Sequence, residues 1–178
     1  FLYTIRERES ILDLFESLVG ARLLYGFFQV GGVRYDIPAG WVEQCRQTVD
    51  MLDQRIGEYE QMLENNPFFM ARAQGVGVIT RELAEGVGIS GPLLRGSGVN
   101  WDLRRADPYS SYEDFEFRVP VETAGDCFAR YRVRMVEFRE SLKIVRQGLD
   151  RLPEGPISSR PGLKSVAQTR IPKGETYA

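Results

Sequence analysis

TAGDCFARYRVRMVEFRESLKIVRQGLDRL, residues 123–152, decides the fold class. Phe128, Tyr131, Met135, Phe138, Leu142, Val145, Leu149 and Leu152 follow one another at steps of three and four throughout, which is one face of an α-helix. A coiled coil shares this period. Large aromatics along the seam favour an antiparallel bundle instead. Thr123 and Asp126 make a capping-box-like start with Asp in place of the usual Glu, and Asp126 with Arg130 forms a favourable i,i+4 pair.

Working outward, residues 75–121 are of another kind. Glycines 75, 77, 86, 88, 91, 96 and 98 fall there with Pro92, Pro108 and Pro120. The spacing predicts a strand or extended run at Val76–Ile79, a short helix at 81–86, a helical turn around 101–105 and strand-like alternation over Phe115–Val121. Residues 39–65 predict a second long helix with Trp41, Cys45, Val49, Leu52, Ile56, Tyr59 and Leu63 on one face, opened by Pro38 and closed by Asn65-Asn66-Pro67. A short helix over 67–73 follows. Residues 5–29 predict a third long helix, bent or broken at Gly20 and stopped by Gly31-Gly32. The expected fold is mainly α: an antiparallel bundle of three longer helices with short strands in the connecting loops, its core spanning 1–152. Four of the nine prolines lie in residues 153–178, which read as a linker or arm leading into further sequence. The closing KGETYA reads as the beginning of a strand, and the helical pattern starts at once from Phe1, so both ends read as cut.

Composition narrows the function. With 178 residues, 43% apolar and 27% charged, the chain suffices for a sizeable core. Twenty-three basic against 25 acidic residues leave no electrostatic footprint for nucleic acid. No apolar run reaches a membrane span, and no signal-peptide pattern occurs. The two cysteines, Cys45 and Cys127, form no CxxC pair and suit a reduced, cytosolic setting. Cys127 stands near a helix start, where a thiol pKa can fall; a small buried residue is the simpler expectation. The chain contains no histidine. That removes histidine acid–base chemistry, Ser-His-Asp and Cys-His arrangements, and nearly all zinc sites. Any proton or electron chemistry would then rest on other groups in an assembly.

GVGVIT (75–80) and GSGVN (96–100) fall short of a dinucleotide fingerprint, and no phosphate-binding GKS or GKT exists, so they read as tight turns without NAD or ATP. Glu7, Glu9, Asp13 and Glu16 alternate with Arg6 and Arg8 and read as a solvated, ion-paired helix face. The segment 89–117 gathers Arg95, Asp102, Arg104, Arg105 and Asp107 among glycines and aromatics. A connection this long that carries aromatics is expected to form an interface.

FLYTIRERESILDLFESLVGAR, GVGVIT, the block SGP to PEGP (90–156) and PKGETYA, in this order, resemble the hydrogenase-large-subunit-like core subunit of the proton-pumping NADH:quinone oxidoreductase, respiratory complex I. The resemblance covers essentially the whole chain and the middle portion of that core subunit. It implies descent from the large subunit of nickel–iron hydrogenases with loss of the metal site. It implies a place in the hydrophilic arm, beside the neighbour that holds the terminal [4Fe–4S] cluster, with the quinone-reduction chamber between the two. Such a subunit lies peripherally at the cytoplasmic face of the bacterial plasma membrane and binds no cofactor directly. The best-known quinone-headgroup histidine and tyrosine of the family fall upstream of Phe1, so no catalytic residue is assigned within this chain.

The stretch GARLLYGFFQVGGV, residues 20–33, gains its meaning here. By the resemblance, Arg22, Leu24, Tyr25 and Gln29 face the cluster and chamber. Many members hold at the position of Leu24 a histidine that takes a proton when the cluster is reduced, and many hold arginine at the position of Gln29. Leu24 cannot be charged, and a tyrosine has the wrong pKa to substitute. The expectation is a lower-potential, weakly pH-dependent cluster, suited to menaquinone. Arg95, Trp101, Arg104, Arg105, Tyr109 and Tyr112 are the expected contacts with neighbouring subunits. Two alternatives are a membrane-bound [NiFe] hydrogenase-type large subunit and a purely structural helical scaffold.

Overall fold

The computed structural model describes residues 2–158. Among them, seven α-helices carry the chain: α1 (Leu2–Val19), α2 (Trp41–Glu64), α3 (Pro67–Ala73), α4 (Arg81–Gly86), α5 (Gly91–Gly96), α6 (Leu103–Ala106) and α7 (Cys127–Asp150). A 3-10 turn covers Tyr112–Asp114, and two short strands, β1 (Phe28–Gln29) and β2 (Gly32–Val33), pair antiparallel. The mainly-α expectation holds, and α1, α2 and α7 are the three longer helices. The chain divides into two compact units, one Val42–Leu152, the other Phe1–Trp41 with the chain from Pro153.

In the Val42–Leu152 unit, α2 buries Cys45, Val49, Leu52 and Ile56, and α7 buries Ala129, Val133 and Leu142, with Ile56 and Val133 wholly enclosed. Val133 lies on the side of α7 that carries Arg130 and Glu137, which meet Gly96 and Arg95 of α5. Four charged rungs join α2 and α7. Arg46 meets Asp150 at 2.7 Å, Arg146 meets Asp50 and Asp53 at 2.9 and 3.1 Å, Arg139 grips Glu60 at 2.5 Å, and Arg132 reaches Glu64 at 3.6 Å. Residue numbers rise along α2 as they fall along α7, so the pair is antiparallel. Enclosing a side chain such as Ile56 contributes about 2–3 kcal/mol, whereas a surface ion pair contributes under about 1 kcal/mol. Burial therefore supplies the stability, and the rungs fix direction and register.

The N-terminus of α7 is the best-tied point of this unit. Asp126 caps it, accepting the Ala129 N–H at 2.7 Å on one oxygen and the Gly75 N–H at 2.7 Å on the other. Thr123 lies upstream and is not the cap. The expected Asp126–Arg130 pairing gives way to another use of the guanidinium, which donates to the carbonyls of Gly125 at 2.6 Å and Gly77 at 3.0 Å. The run 76–79 is extended and strapped to this corner by Ile79 N–H to Gly125 O and Cys127 N–H to Val76 O. Gly125 (φ +65°) has no room for a side chain, since a Cβ would stand 2.3 Å from the Ile79 carbonyl oxygen.

Two elements differ from expectation. The run 115–121 is extended but is not a strand. Its Glu116 and Arg118 N–H groups donate to side chains of α7, Gln147 and Glu140, so it lies along a helix and not in a sheet. The helix α5 was not expected. Pro92 fits its first turn, and Gly96 lets it approach α7 at Arg130.

In the other unit, α1 ends at Val19, and Gly20 (φ +76°) turns the chain out of the helix. Residues 20–29 are therefore not the continuation of α1. They form an irregular loop leading into the β1–β2 hairpin. Val33 N–H donates to Ile157 O at 3.0 Å, and Gly32 bridges to Ser158, so the downstream chain returns along β2. Most of the expected arm, and the KGETYA strand, lie outside the described residues.

Candidate functional site

The loop 20–33 is positioned from α1. Glu9, Asp13 and Glu16 lie on one stripe of that helix at i, i+4 and i+7, and Arg22 folds back past Gly20 onto all three. Its guanidinium meets Asp13 at 2.6 Å, Glu16 at 2.9 Å and also Glu9. The hydrogen bonds that Arg22 donates to Asp13 and Glu16 raise its pKa further above its already high value. The acidic stripe is thus ion-paired, as expected, but with Arg22. Of the other charges, Arg6 pairs with Glu7, which is buried. A carboxylate stripe followed by arginine two residues beyond a helix-ending glycine was the available signal for this clasp.

Beyond the clasp the surface turns apolar. Leu24 is 79% exposed and Phe28 82%, with Leu23 and Val30 also open. Tyr25 packs its ring on Phe15 at 4.6 Å between centroids, which holds the loop against α1. Gln29 sits in β1, and its amide donates to Val33 O at 3.1 Å, closing the hairpin. Arg22, Leu24, Tyr25 and Gln29 therefore belong to one loop, and Leu24 is presented openly at its surface.

The second predicted cluster, in the Val42–Leu152 unit, is built around charge. Arg95 is buried, forms an ion pair with Glu137 on α7, and donates to the Trp101 carbonyl at 3.0 Å. Asp102 caps α6 through the Arg104 N–H at 3.0 Å and takes the Arg104 guanidinium at 2.7 Å. The Arg104 hydrogen bond holds the Asp102 carboxyl below the usual range. Both Arg104 and Arg105 lie over the Phe117 ring, at 4.7 and 4.2 Å. Tyr112 joins Tyr109 edge-on at 4.9 Å. Arg95 thus works inward, fastening the loop, while Trp101, Leu103 and Tyr109 remain open at its surface.

The cysteines separate. Cys45 is buried, and burial pushes its thiol pKa up. Cys127 is exposed, contrary to expectation, because the first residue of α7 faces outward at the capped corner; its sulfur receives Arg130 Nη2 at 3.1 Å. No helix among the described residues is long and apolar enough to cross a membrane.

The chain thus exposes an apolar loop in one unit and an aromatic loop in the other, each fastened from behind by arginine–carboxylate contacts. Residues 1–177 match the family described as respiratory-chain NADH dehydrogenase, 49 Kd subunit, and the chain belongs to that family. It is 47% identical over its whole length to a NADH-quinone oxidoreductase subunit from Desulforamulus reducens, covering 48% of that relative. It is 52% identical to an NAD(P)H-quinone oxidoreductase subunit from Synechocystis sp. and 47% identical to its counterpart from Microcystis aeruginosa, in each case over 99% of this chain and 50% of the relative. The chain therefore spans about half the length of the curated relatives it matches.

Proposed function

We propose that this chain is the middle part of a core peripheral-arm subunit of a proton-pumping NADH:quinone oxidoreductase, and that its 20–33 loop forms part of the wall of the quinone-reduction chamber. The complex would lie at the cytoplasmic face of the bacterial plasma membrane. By likeness to the family, the [4Fe–4S] cluster would be held by the neighbouring subunit. The supporting observation is the loop itself: an uncharged Leu24 at 79% exposure, held forward by the Arg22 clasp and the Tyr25–Phe15 contact, on a chain that matches the family over its full length. Trp101, Arg104, Arg105, Tyr109 and Tyr112 would meet a second neighbour, with Arg95 holding their loop from within. Residues 1–152 would form the core and 153–178 the arm into the rest of the protein.

The chemical consequence concerns the neighbouring cluster. A protonatable group beside it would stabilise the added electron and couple reduction to proton uptake. Leu24 supplies neither charge nor proton, and Gln29 supplies no charge. The cluster should therefore have a low, weakly pH-dependent potential, matching a low-potential acceptor such as menaquinone. Redox titration of the assembled enzyme across neutral pH tests this. A nearly flat profile is expected, and Leu24→His should introduce a slope approaching about 59 mV per pH unit. A steep slope in the unmodified enzyme would sink the assignment.

A further inference from the structure

We propose that the cleft between the 105–118 segment and the second half of α7 binds a polyvalent oxyanion of the phosphate class. The cleft has a volume of about 540 Å³, within the range of small-molecule sites, and lies wholly in the Val42–Leu152 unit. Arg105, Arg118 and Lys143 line it against two carboxylates, Glu116 and Glu140, leaving a surplus of one positive charge, while Arg146, also in the lining, is paired with Asp50 and Asp53. This is independent of the chamber reading, which concerns the 20–33 loop.

The arrangement of donors narrows the ligand. Glu140 is buried, and its carboxylate takes the Arg118 backbone N–H at 3.1 Å, Arg118 Nε at 3.1 Å and Lys143 Nζ at 2.7 Å. One carboxylate thus anchors two cations whose side chains stay 71% and 53% exposed. Arg118 uses only Nε of its guanidinium in that bond, so its two terminal amino groups remain for a ligand. Arg105 lies on the Phe117 ring and donates to the Phe117 carbonyl at 2.7 Å. Among the described residues it has no carboxylate partner, so its charge is uncompensated. Arg146 is matched by Asp50 and Asp53 of α2, outside the lining, and acts as scaffold.

The two walls are joined before any ligand arrives. Gln147 on α7 accepts the Glu116 N–H at 2.9 Å and donates to the Glu116 carbonyl at 2.8 Å. Binding would therefore require little backbone ordering. Three cations on two walls, with guanidinium forks among them, suit a compact anion bearing several oxygens better than a flat or neutral ligand.

Calorimetry of the full chain with pyrophosphate as probe tests the proposal. Binding that weakens as salt rises is expected, weakened about tenfold further by Arg118→Gln, the effect of losing one charge-assisted contact. Arg118→Lys should restore most of it, which separates loss of charge from loss of fold. Arg105→Gln should weaken binding similarly, and Arg55→Gln, whose partner is Glu58, should leave it unchanged. Vesicles of phosphatidylcholine with and without phosphatidic acid distinguish the sources. Binding only to the acidic vesicles, displaced by pyrophosphate, identifies a lipid headgroup; no vesicle binding identifies a free anion. Absence of pyrophosphate binding at low salt, binding indifferent to Arg118→Gln, or tighter binding of polyglutamate than of pyrophosphate would overturn the assignment.

Discussion

The Val42–Leu152 unit and residues 2–33 use similar side chains to opposite ends. Both contain a long helix, apolar side chains at helical spacing and arginine–carboxylate contacts. In the first, both long helices bury apolar side chains, and Ile56 and Val133 are wholly enclosed. In the second, the apolar residues that follow α1 are turned out of the helix by Gly20, and Leu24 and Phe28 are open to solvent. Ion pairs follow the same division. Arg46, Arg132, Arg139 and Arg146 join two helices to each other, whereas Arg22 binds a loop back onto its own helix. One region encloses its apolar side chains, and the other leaves them open.

Mutations can break that contrast in order of size. Ile56→Ala removes a fully enclosed side chain, and urea denaturation should show the Val42–Leu152 unit losing about 3 kcal/mol. Gly125→Ala sets a Cβ against the Ile79 carbonyl at a backbone angle unsuited to it, with an expected loss of about 2 kcal/mol in the same measurement.

Asp126→Ala should cost about 1 kcal/mol through loss of the α7 cap, and Asp126→Asn less. Burial tends to raise the Asp126 pKa, but the N–H donors of Ala129 and Gly75, with Arg130 nearby, outweigh it and hold the carboxyl below the usual range. Its contribution is therefore complete above the ordinary carboxylate range and is lost as pH falls through the depressed value. Acid titration of stability should flatten in the Asn variant. Smallest of all, Leu24→His should change stability by less than about 0.5 kcal/mol, because the side chain touches little. A larger loss would mean that Leu24 is a core residue and would erase the contrast.

How much was legible follows the same division. The helices α2, α3, α4 and α7 could be read to within a few residues, because three- and four-residue apolar steps, Pro38, Asn66-Pro67 and Asp126 are local signals. The break at Gly20 was legible from the glycine, but the non-helical course of residues 21–29 was not, since Leu23 and the aromatics prolong the apolar pattern. The run 115–121 alternates because only one side of it meets α7, which imitates a strand. At the candidate sites, Trp101 and Tyr109 were legible as surface aromatics. Arg95 was not legible as an inward clasp, since its partner Glu137 lies far along the sequence.

The bridge between Gly32 and Ser158 bears on the order of synthesis. The Val42–Leu152 unit is continuous in the chain, so it can close as soon as its own last helix leaves the ribosome. The hairpin cannot take its third segment until Ile157 and Ser158 have followed. Its closure spans a loop that an already folded unit has shortened in effect, which lowers the entropy of bringing the two ends together. Vectorial folding would thus complete the continuous unit first and the exposed apolar loop last.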